Sequence, residues 1–217
     1  MNEFSFSVPQ NITVGKGSLT KLPEIAKKSG GSHAFLMSGP HLAKMGLVEK
    51  AANSLKSAGI SVDTFTDIEG NPSVETVDKA TEAFKEAGAD FIVAFGGGSP
   101  MDVAKAVGVT AKYGGSITEY EGAHKVPGPI IPLIAIPTTA GTGSEVTAFS
   151  VITDHSRDYK LTVFSYEILP AYAILDAELL TTAPASVAAA CGIDAFIHAE
   201  EAYISTHCFR MRWQRKP

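Results

Sequence analysis

A run of five apolar residues, Phe91-Ile92-Val93-Ala94-Phe95, passes directly into Gly96-Gly97-Gly98-Ser99-Pro100-Met101-Asp102-Val103-Ala104-Lys105. A strand that is apolar at every position is buried on both faces, which is the situation of a central strand in a parallel sheet. Glycines at its end let the backbone turn sharply and approach a ligand closely, because no Cβ intervenes. Ser99 reads as an N-cap, Pro100 as the first helical residue and Asp102 as the partner in a capping-box-like pair. A helix start of this kind offers free N–H groups and the positive end of a dipole, which suits a phosphate. A plain strand–turn–helix of small residues is the alternative. Three consecutive glycines at the carboxyl end of an apolar strand argue against it. The loop matches neither G-x-G-x-x-G nor G-x-x-x-x-G-K-[ST]. Gly15-Lys16-Gly17-Ser18 lacks the upstream glycine of the latter and reads as a turn.

The same alternation of short β-rich runs and helix-length stretches extends along the chain and predicts an α/β fold, doubly wound on a mostly parallel sheet. Strands are expected at Ala34–Met37, Ile60–Phe65, Leu133–Ile136 and Ala171–Leu175. Helical spacing runs from Leu42 to Leu55 and again through Val74, Val77, Ala80, Phe84 and Ala87, closed by Gly88. A long helix is expected from Ala185 to Tyr203, with Pro184 in its first turn. The expected organisation is one doubly wound domain over residues 1–183, the first helix of another domain over 184–206, and a distinct tail over 207–217.

Pro137-Thr138-Thr139-Ala140-Gly141-Thr142-Gly143-Ser144-Glu145 follows the strand at 133–136, so hydroxyls and glycines again lie at the carboxyl end of a sheet strand. They offer donors for a ribose or diphosphate in the same crevice. Taken alone this is a Ser/Thr-rich loop; as the second such loop it strengthens the first.

Charge and composition narrow the partners. Hydrophobic residues make up 45% and charged residues 19% of the 217, ordinary for a core-forming globular chain. The net charge of -5 gives no reason to expect nucleic acid or an anionic membrane as a partner. Met1-Asn2-Glu3-Phe4 does not open a secretory signal, and the apolar run at Ile130–Ile136 stops at Pro137, far short of a membrane span. The two cysteines, Cys191 and Cys208, have no zinc spacing and are too few for a disulfide framework, so a cytoplasmic protein is expected.

Gly96 to Lys105, Pro137 to Val146 and Asp194-Ala195-Phe196-Ile197-His198-Ala199-Glu200-Glu201-Ala202-Tyr203 together resemble the iron-dependent (group III) alcohol dehydrogenase family. The Pro9–Gly17 turn and the Leu169-Pro170…Asp176…Leu179 run resemble it too, so the likeness extends over roughly residues 4–206. It implies a Rossmann-like domain for NAD or NADP, a small alcohol or aldehyde as substrate, an all-helical metal-binding domain and a homo-oligomer. Gly97, Gly98 and Ser99 would cradle the pyrophosphate, with Gly96 and Asp102 in the same motif. Thr138, Thr139, Thr142 and Ser144 would line the adenosine and nicotinamide stretch. Lys160 would approach a ribose, and Leu179 would complete the cofactor site. Gly39 falls where NAD-preferring relatives carry an Asp for the ribose 2′-hydroxyl, so NADP(H) is expected to bind at least as well as NAD(H). Asp194 and His198, on one helix face at i, i+4, match two of the family's four ligands for Fe2+ or Zn2+. The two further histidines have no match in this chain, so a bound metal is not expected in it. A dehydroquinate-synthase-like lyase shares the glycine loop and metal helix, and a nucleotide-binding fragment without turnover is the non-catalytic alternative.

The likeness stops after Thr206. His207 to Pro217 is basic and aromatic, and Arg210, Arg212, Arg215 and Lys216 are four of the 18 Lys and Arg residues. Codons for Phe209–Pro217 can be chosen that, read two nucleotides further in, spell Pro-Asp-Ala-Met-Ala-Glu-Lys-Ala, a good helical continuation. A frameshift that replaced the family's continuation is therefore expected. The helix from Ala185 to Thr206 should then expose an apolar face, with a dimer or larger species, or else disorder of this helix, as the consequence.

Overall fold

Strands that are apolar at every position need cover on both faces, and the chain provides it from helices on either side. The structure, a computed structural model, describes residues 9–205. In chain order its elements are β1 (Asn11–Val14), α1 (Leu22–Lys28), β2 (His33–Ser38), α2 (Pro40–Lys44), α3 (Leu47–Ser57), β3 (Ser61–Phe65), α4 (Val74–Ala87), β4 (Phe91–Gly96), α5 (Gly98–Tyr113), β5 (Gly122–Ala123), β6 (Leu133–Pro137), β7 (Phe149–Asp154), β8 (Tyr159–Phe164), β9 (Tyr172–Leu175) and α6 (Ala185–Ile204).

Six strands form one sheet in the order β1-β9-β6-β4-β2-β3, every neighbouring pair parallel. The Rossmann-like, doubly wound expectation therefore holds. Successive side chains of a strand point to opposite faces, and β4 divides its residues accordingly. Phe91, Val93 and Phe95 pack with α1 and α3 through Leu22, Ile25, Ala51 and Leu55. Ile92 and Ala94 pack with α4 and α5 through Val77, Phe84, Val103 and Val107. Chain direction across the sheet reverses at β2: the next strand, β3, lies on one side of it and the one after, β4, on the other. Crossovers that diverge from such a point leave a crevice at the carboxyl ends of the strands, where doubly wound folds bind ligands.

A smaller sheet of β5, β8 and β7 covers part of the α4–α5 side, with Ile152, Leu161 and Val163 in its core. Its β7–β8 hairpin is not among the strands expected from the sequence. The reason is an inverted pattern: along β7, Phe149 and Val151 are exposed whereas Ser150 and Asp154 are buried. Ser150 is accommodated because its hydroxyl donates to the Asp102 carbonyl at 2.8 Å.

Three local expectations are corrected. The helix over Leu42–Leu55 is two helices, because Gly46 takes φ +73° and breaks the ladder between α2 and α3. At α5 the residue before the first turn is Gly97, not Ser99, and no side chain caps that end. Pro184 immediately precedes α6 rather than sitting in its first turn, with ψ 149° outside the helical range. The helix expected over Ala185–Tyr203 is present as α6, and no residue of it is buried. Among the described residues no helix is long and apolar enough to cross a membrane. The tail over 207–217 lies outside the described residues.

Asp176 fastens the edge of the main sheet. Its carboxylate accepts backbone N–H groups from Gly17 at 2.9 Å, Leu19 at 3.0 Å and Glu178 at 3.1 Å, tying the turn after β1 to the end of β9. Burial pushes this carboxyl up, but the three N–H donors outweigh it and hold it below the usual range. Stability from such a group is present above the unfolded-state value and lost as pH falls through the folded one. Asp176→Ala should cost on the order of 2–4 kcal/mol in denaturant unfolding, because three donors lose their partner. It should also flatten the acid limb of the stability profile. A neutral substitution with an unchanged acid limb would contradict this role.

Candidate functional site

β4 and β6 end side by side, Gly96 opposite Pro137, and the Thr138 N–H donates to the Gly96 carbonyl at 2.9 Å. The two loops expected to share a crevice therefore leave the sheet together. Between them and the ends of β2 and β3 lies a cleft of about 440 Å³, lined by Gly39, Gly96, Gly97, Gly98, Ser99, Thr138 and Thr139, all singled out from the sequence. The end of β3 adds Ile68, Glu69 and Gly70, and the approach to α6 adds Thr182, Pro184 and Val187. Those residues carry no motif. The rule that doubly wound sheets bind at strand carboxyl ends would have pointed to the β3 group.

The backbone of the glycine loop fits a closely approaching ligand. Gly96 has φ +155°, and a Cβ on it would stand 2.8 Å from Pro100 Cγ, so only glycine suits that position. A Cβ at Gly97 would meet Thr139 Oγ1 at 3.3 Å, and one at Gly98 would meet Thr142 Cγ2 at 3.1 Å. Thr139 and Thr142 thus flank the glycines, and side chains there would fill the cradle. The uncapped start of α5 leaves its first-turn N–H groups to an anion. These are the requirements of a nucleotide diphosphate, so the residues present fit a dinucleotide. Ser38, completely buried at the end of β2, carries the one buried side-chain polar atom without a hydrogen-bond partner among the described residues.

The structure separates other expected site residues from the cleft. Asp102 and Ser144 lie behind the loop in a buried network centred on Lys105, which sequence reasoning places only inside the glycine motif. Lys105 is fully buried; its Nζ donates to the carbonyls of Ser144 and Phe149, each at 2.7 Å, and of Thr147 at 3.0 Å. It also donates to Ser144 Oγ at 2.9 Å, and that hydroxyl donates on to Asp102 Oδ1 at 2.8 Å. Burial lowers the ammonium to about 8 against the pull of Asp102 and Glu145, and burial raises the Asp102 carboxyl despite Lys105 nearby. Lys160 stands on β8, where its Nζ donates to Asn71 Oδ1 at 2.8 Å. Leu179 is a core residue beside Leu22 and lines a second, smaller cleft that shares Thr182 with the first.

Asp194 and His198 do face each other on α6, Oδ1 to Nε2 at 3.7 Å, with side chains 46% and 56% exposed. Among the described residues no group of three or more His, Cys, Asp or Glu is placed to hold a metal ion. Two donors are half of the four-ligand shell expected from the resemblance, so this part of the chain alone does not fit a closed metal site.

Similarity to known proteins agrees with the geometry. A profile described as iron-containing alcohol dehydrogenase matches residues 9–177. The NAD-dependent methanol dehydrogenase of Bacillus methanolicus is 38% identical over 201 residues, covering 93% of this chain and 53% of that protein. The NADPH-dependent butanol dehydrogenase of Clostridium saccharobutylicum is 38% identical over 204 residues, covering 93% and 52%. The crystal structure of a 1,3-propanediol oxidoreductase superposes with a TM-score of 0.89 at 36% identity, covering 94% of this chain and 54% of the other. The chain spans about half the length of the curated relatives it matches.

Lys105→Met should remove the donor from three carbonyls and a hydroxyl while keeping most of the side-chain volume. The expected cost is about 2–4 kcal/mol in unfolding free energy. A Lys105→Met protein as stable as the parent would show that the ammonium is not what holds the 144–149 segment.

Proposed function

The chain belongs to the iron-containing alcohol dehydrogenase family, and from that premise we propose that residues 1–183 are the nucleotide-binding domain of an oxidoreductase interconverting a small primary alcohol and its aldehyde with NAD(P)(H). The family match favours this reaction over the dehydroquinate-synthase-like lyase. The observation that carries the reading is the glycine-lined cleft at the carboxyl ends of β2, β4 and β6, bounded by an uncapped helix start.

In this reading the first-turn N–H groups of α5 hold the diphosphate, and Thr138, Thr139 and Thr142 border it on the other side. The nicotinamide supplies the hydride chemistry, and the protein sets its position and excludes water. Gly39 leaves the ribose end without a carboxylate. A Cβ there would already stand 3.3 Å from the Ile68 carbonyl, so the site has little room for a longer side chain in this backbone. A 2′-phosphate then meets no repulsion from position 39, and NADP(H) should bind at least as tightly as NAD(H). Asp194 and His198 are the chain's own contribution to the metal-binding part of the fold, with α6 as its first helix. A cytoplasmic location fits this chemistry.

Fluorescence or calorimetric titration of both reduced cofactors checks the nucleotide claim. Gly98→Val, which would drive a branched side chain against Thr142, should weaken NADPH binding at least about tenfold, or ~1.4 kcal/mol, with little change in melting temperature. A strong preference for NAD(H), or a Gly98→Val protein that binds as the parent does, would contradict the assignment.

The non-catalytic reading is favoured for the chain acting alone by the donor count on α6. With excess Fe2+ or Zn2+, NADPH and a short aldehyde, the 217-residue chain should show no metal-dependent oxidation of the cofactor. Turnover of ~1 per second or faster would show that two donors and this cleft suffice.

A further inference from the structure

The buried ammonium behind the glycine loop is joined to the cleft by a short chain of contacts. Lys105 follows Gly98 by seven residues on α5, roughly 10 Å along the axis. Its Nζ holds Ser144 twice, through the carbonyl at 2.7 Å and the hydroxyl at 2.9 Å. The Ser144 N–H in turn donates to Thr142 Oγ1 at 3.3 Å. Thr142 is the side chain that a Cβ on Gly98 would meet at 3.1 Å. One helix therefore carries uncapped amides at its start and, two turns later, the cation that sets how closely the threonine loop approaches them.

The arrangement requires the charged form of that side chain. Nζ faces the carbonyls of Ser144, Thr147 and Phe149 and the hydroxyls of Ser144 and Thr147, the last at 3.5 Å. An ammonium has three hydrogens to share among these oxygens. A neutral amine has two, and its lone pair would be turned toward a buried carbonyl oxygen, so at least one contact is lost. The charged groups around Lys105 are Asp102, one turn earlier on α5, and Glu145, on the facing Ser144–Val146 turn. β7 contributes the neutral Phe149 carbonyl. Burial lowers the ammonium to about 8 in spite of both carboxylates, so the charge can be removed without extreme conditions.

We propose that Lys105 is a positioning residue for the nucleotide: without touching the ligand, its charged form holds Thr142 and the rest of the threonine loop where they border the diphosphate. The proposal rests on the nucleotide reading of the cleft. Cofactor binding and protonation of Lys105 then favour one another, each to the same degree. The cofactor-bound protein needs the loop in place and so keeps the proton to higher pH than the free protein does. Affinity is therefore full while the free protein holds the charge and falls as pH rises past about 8. For one linked proton the fall is at most about tenfold per pH unit.

The test is calorimetric titration of the 217-residue chain with NADH and with NADPH between about pH 7 and about pH 9. Repeating it in buffers of different ionisation enthalpy counts the protons taken up on binding. NADH separates the effect from titration of the 2′-phosphate, which it lacks. The expected result is that both cofactors lose affinity as pH rises and that binding takes up a fraction of a proton near the titration of Lys105. Lys105→Met should bind both at least about tenfold more weakly at neutral pH and take up no proton. A lysine with a purely structural role would lower the melting temperature of the variant and leave the parent's proton count at zero. Should Lys105→Met fail to fold, the proton count of the parent still decides. Binding by the parent that is independent of pH and takes up no proton, or a folded Lys105→Met that binds as the parent does, would overturn the proposal. Failure of both cofactors to bind the parent at neutral pH is a separate result, which removes the nucleotide reading itself and this proposal with it.

Discussion

The cleft depends on the backbone leaving β4 at Gly96–Gly98 with nothing projecting from it. At Gly96 the φ of +155° and the closeness of Pro100 exclude a side chain. At Gly97 and Gly98 the threonines of the neighbouring loop stand where a Cβ would press. The consequence is geometric: the start of α5 can face the crevice opened where the order of the strands reverses around β2, and the threonine loop can close in from β6. An anion site made this way needs no charged side chain, because uncapped N–H groups and the helix dipole supply the attraction.

Behind that surface, one buried cation organises the second loop. Lys105 comes from α5, the helix whose uncapped start faces the cleft, and its ammonium gathers the carbonyls of Ser144, Thr147 and Phe149. The glycine loop and the threonine loop are thereby fixed to one another through a helix rather than through the ligand. Desolvation costs a lone buried lysine heavily. Here the surrounding oxygens and the nearby Asp102 offset that cost, and the β7–β8 hairpin is held against α5 as a result.

Much of this is legible in the sequence because it follows from periodicity and from glycine. The continuous apolar runs at Phe91–Phe95 and Leu133–Ile136 mark the central strands, and the loops after them mark the cleft. What is not legible has physical causes. β7 presents Phe149 and Val151 to the outside and buries Ser150, so alternation there reads backwards and hides the hairpin. Gly46 interrupts an apolar spacing that continues across it, so two helices read as one. Ser99 has the composition of a cap but lies inside the first turn, since Gly97 already supplies the extended residue before it. Asp102 and Ser144 read as site residues from the motif, whereas their polar atoms face Lys105, a long-range contact that no local pattern records. Lys160 reaches Asn71 for the same reason.

The central claim is that the amides at the start of α5 receive the cofactor's diphosphate. Amide hydrogen exchange with and without saturating NADPH tests this at the backbone itself. The account predicts that the amides of Gly97, Gly98, Ser99 and Met101 become strongly protected, with a smaller effect at Thr138–Thr142 and none along β3 at Ser61–Phe65. Unchanged exchange at Gly97, Gly98, Ser99 and Met101 in a sample shown to bind NADPH would contradict it.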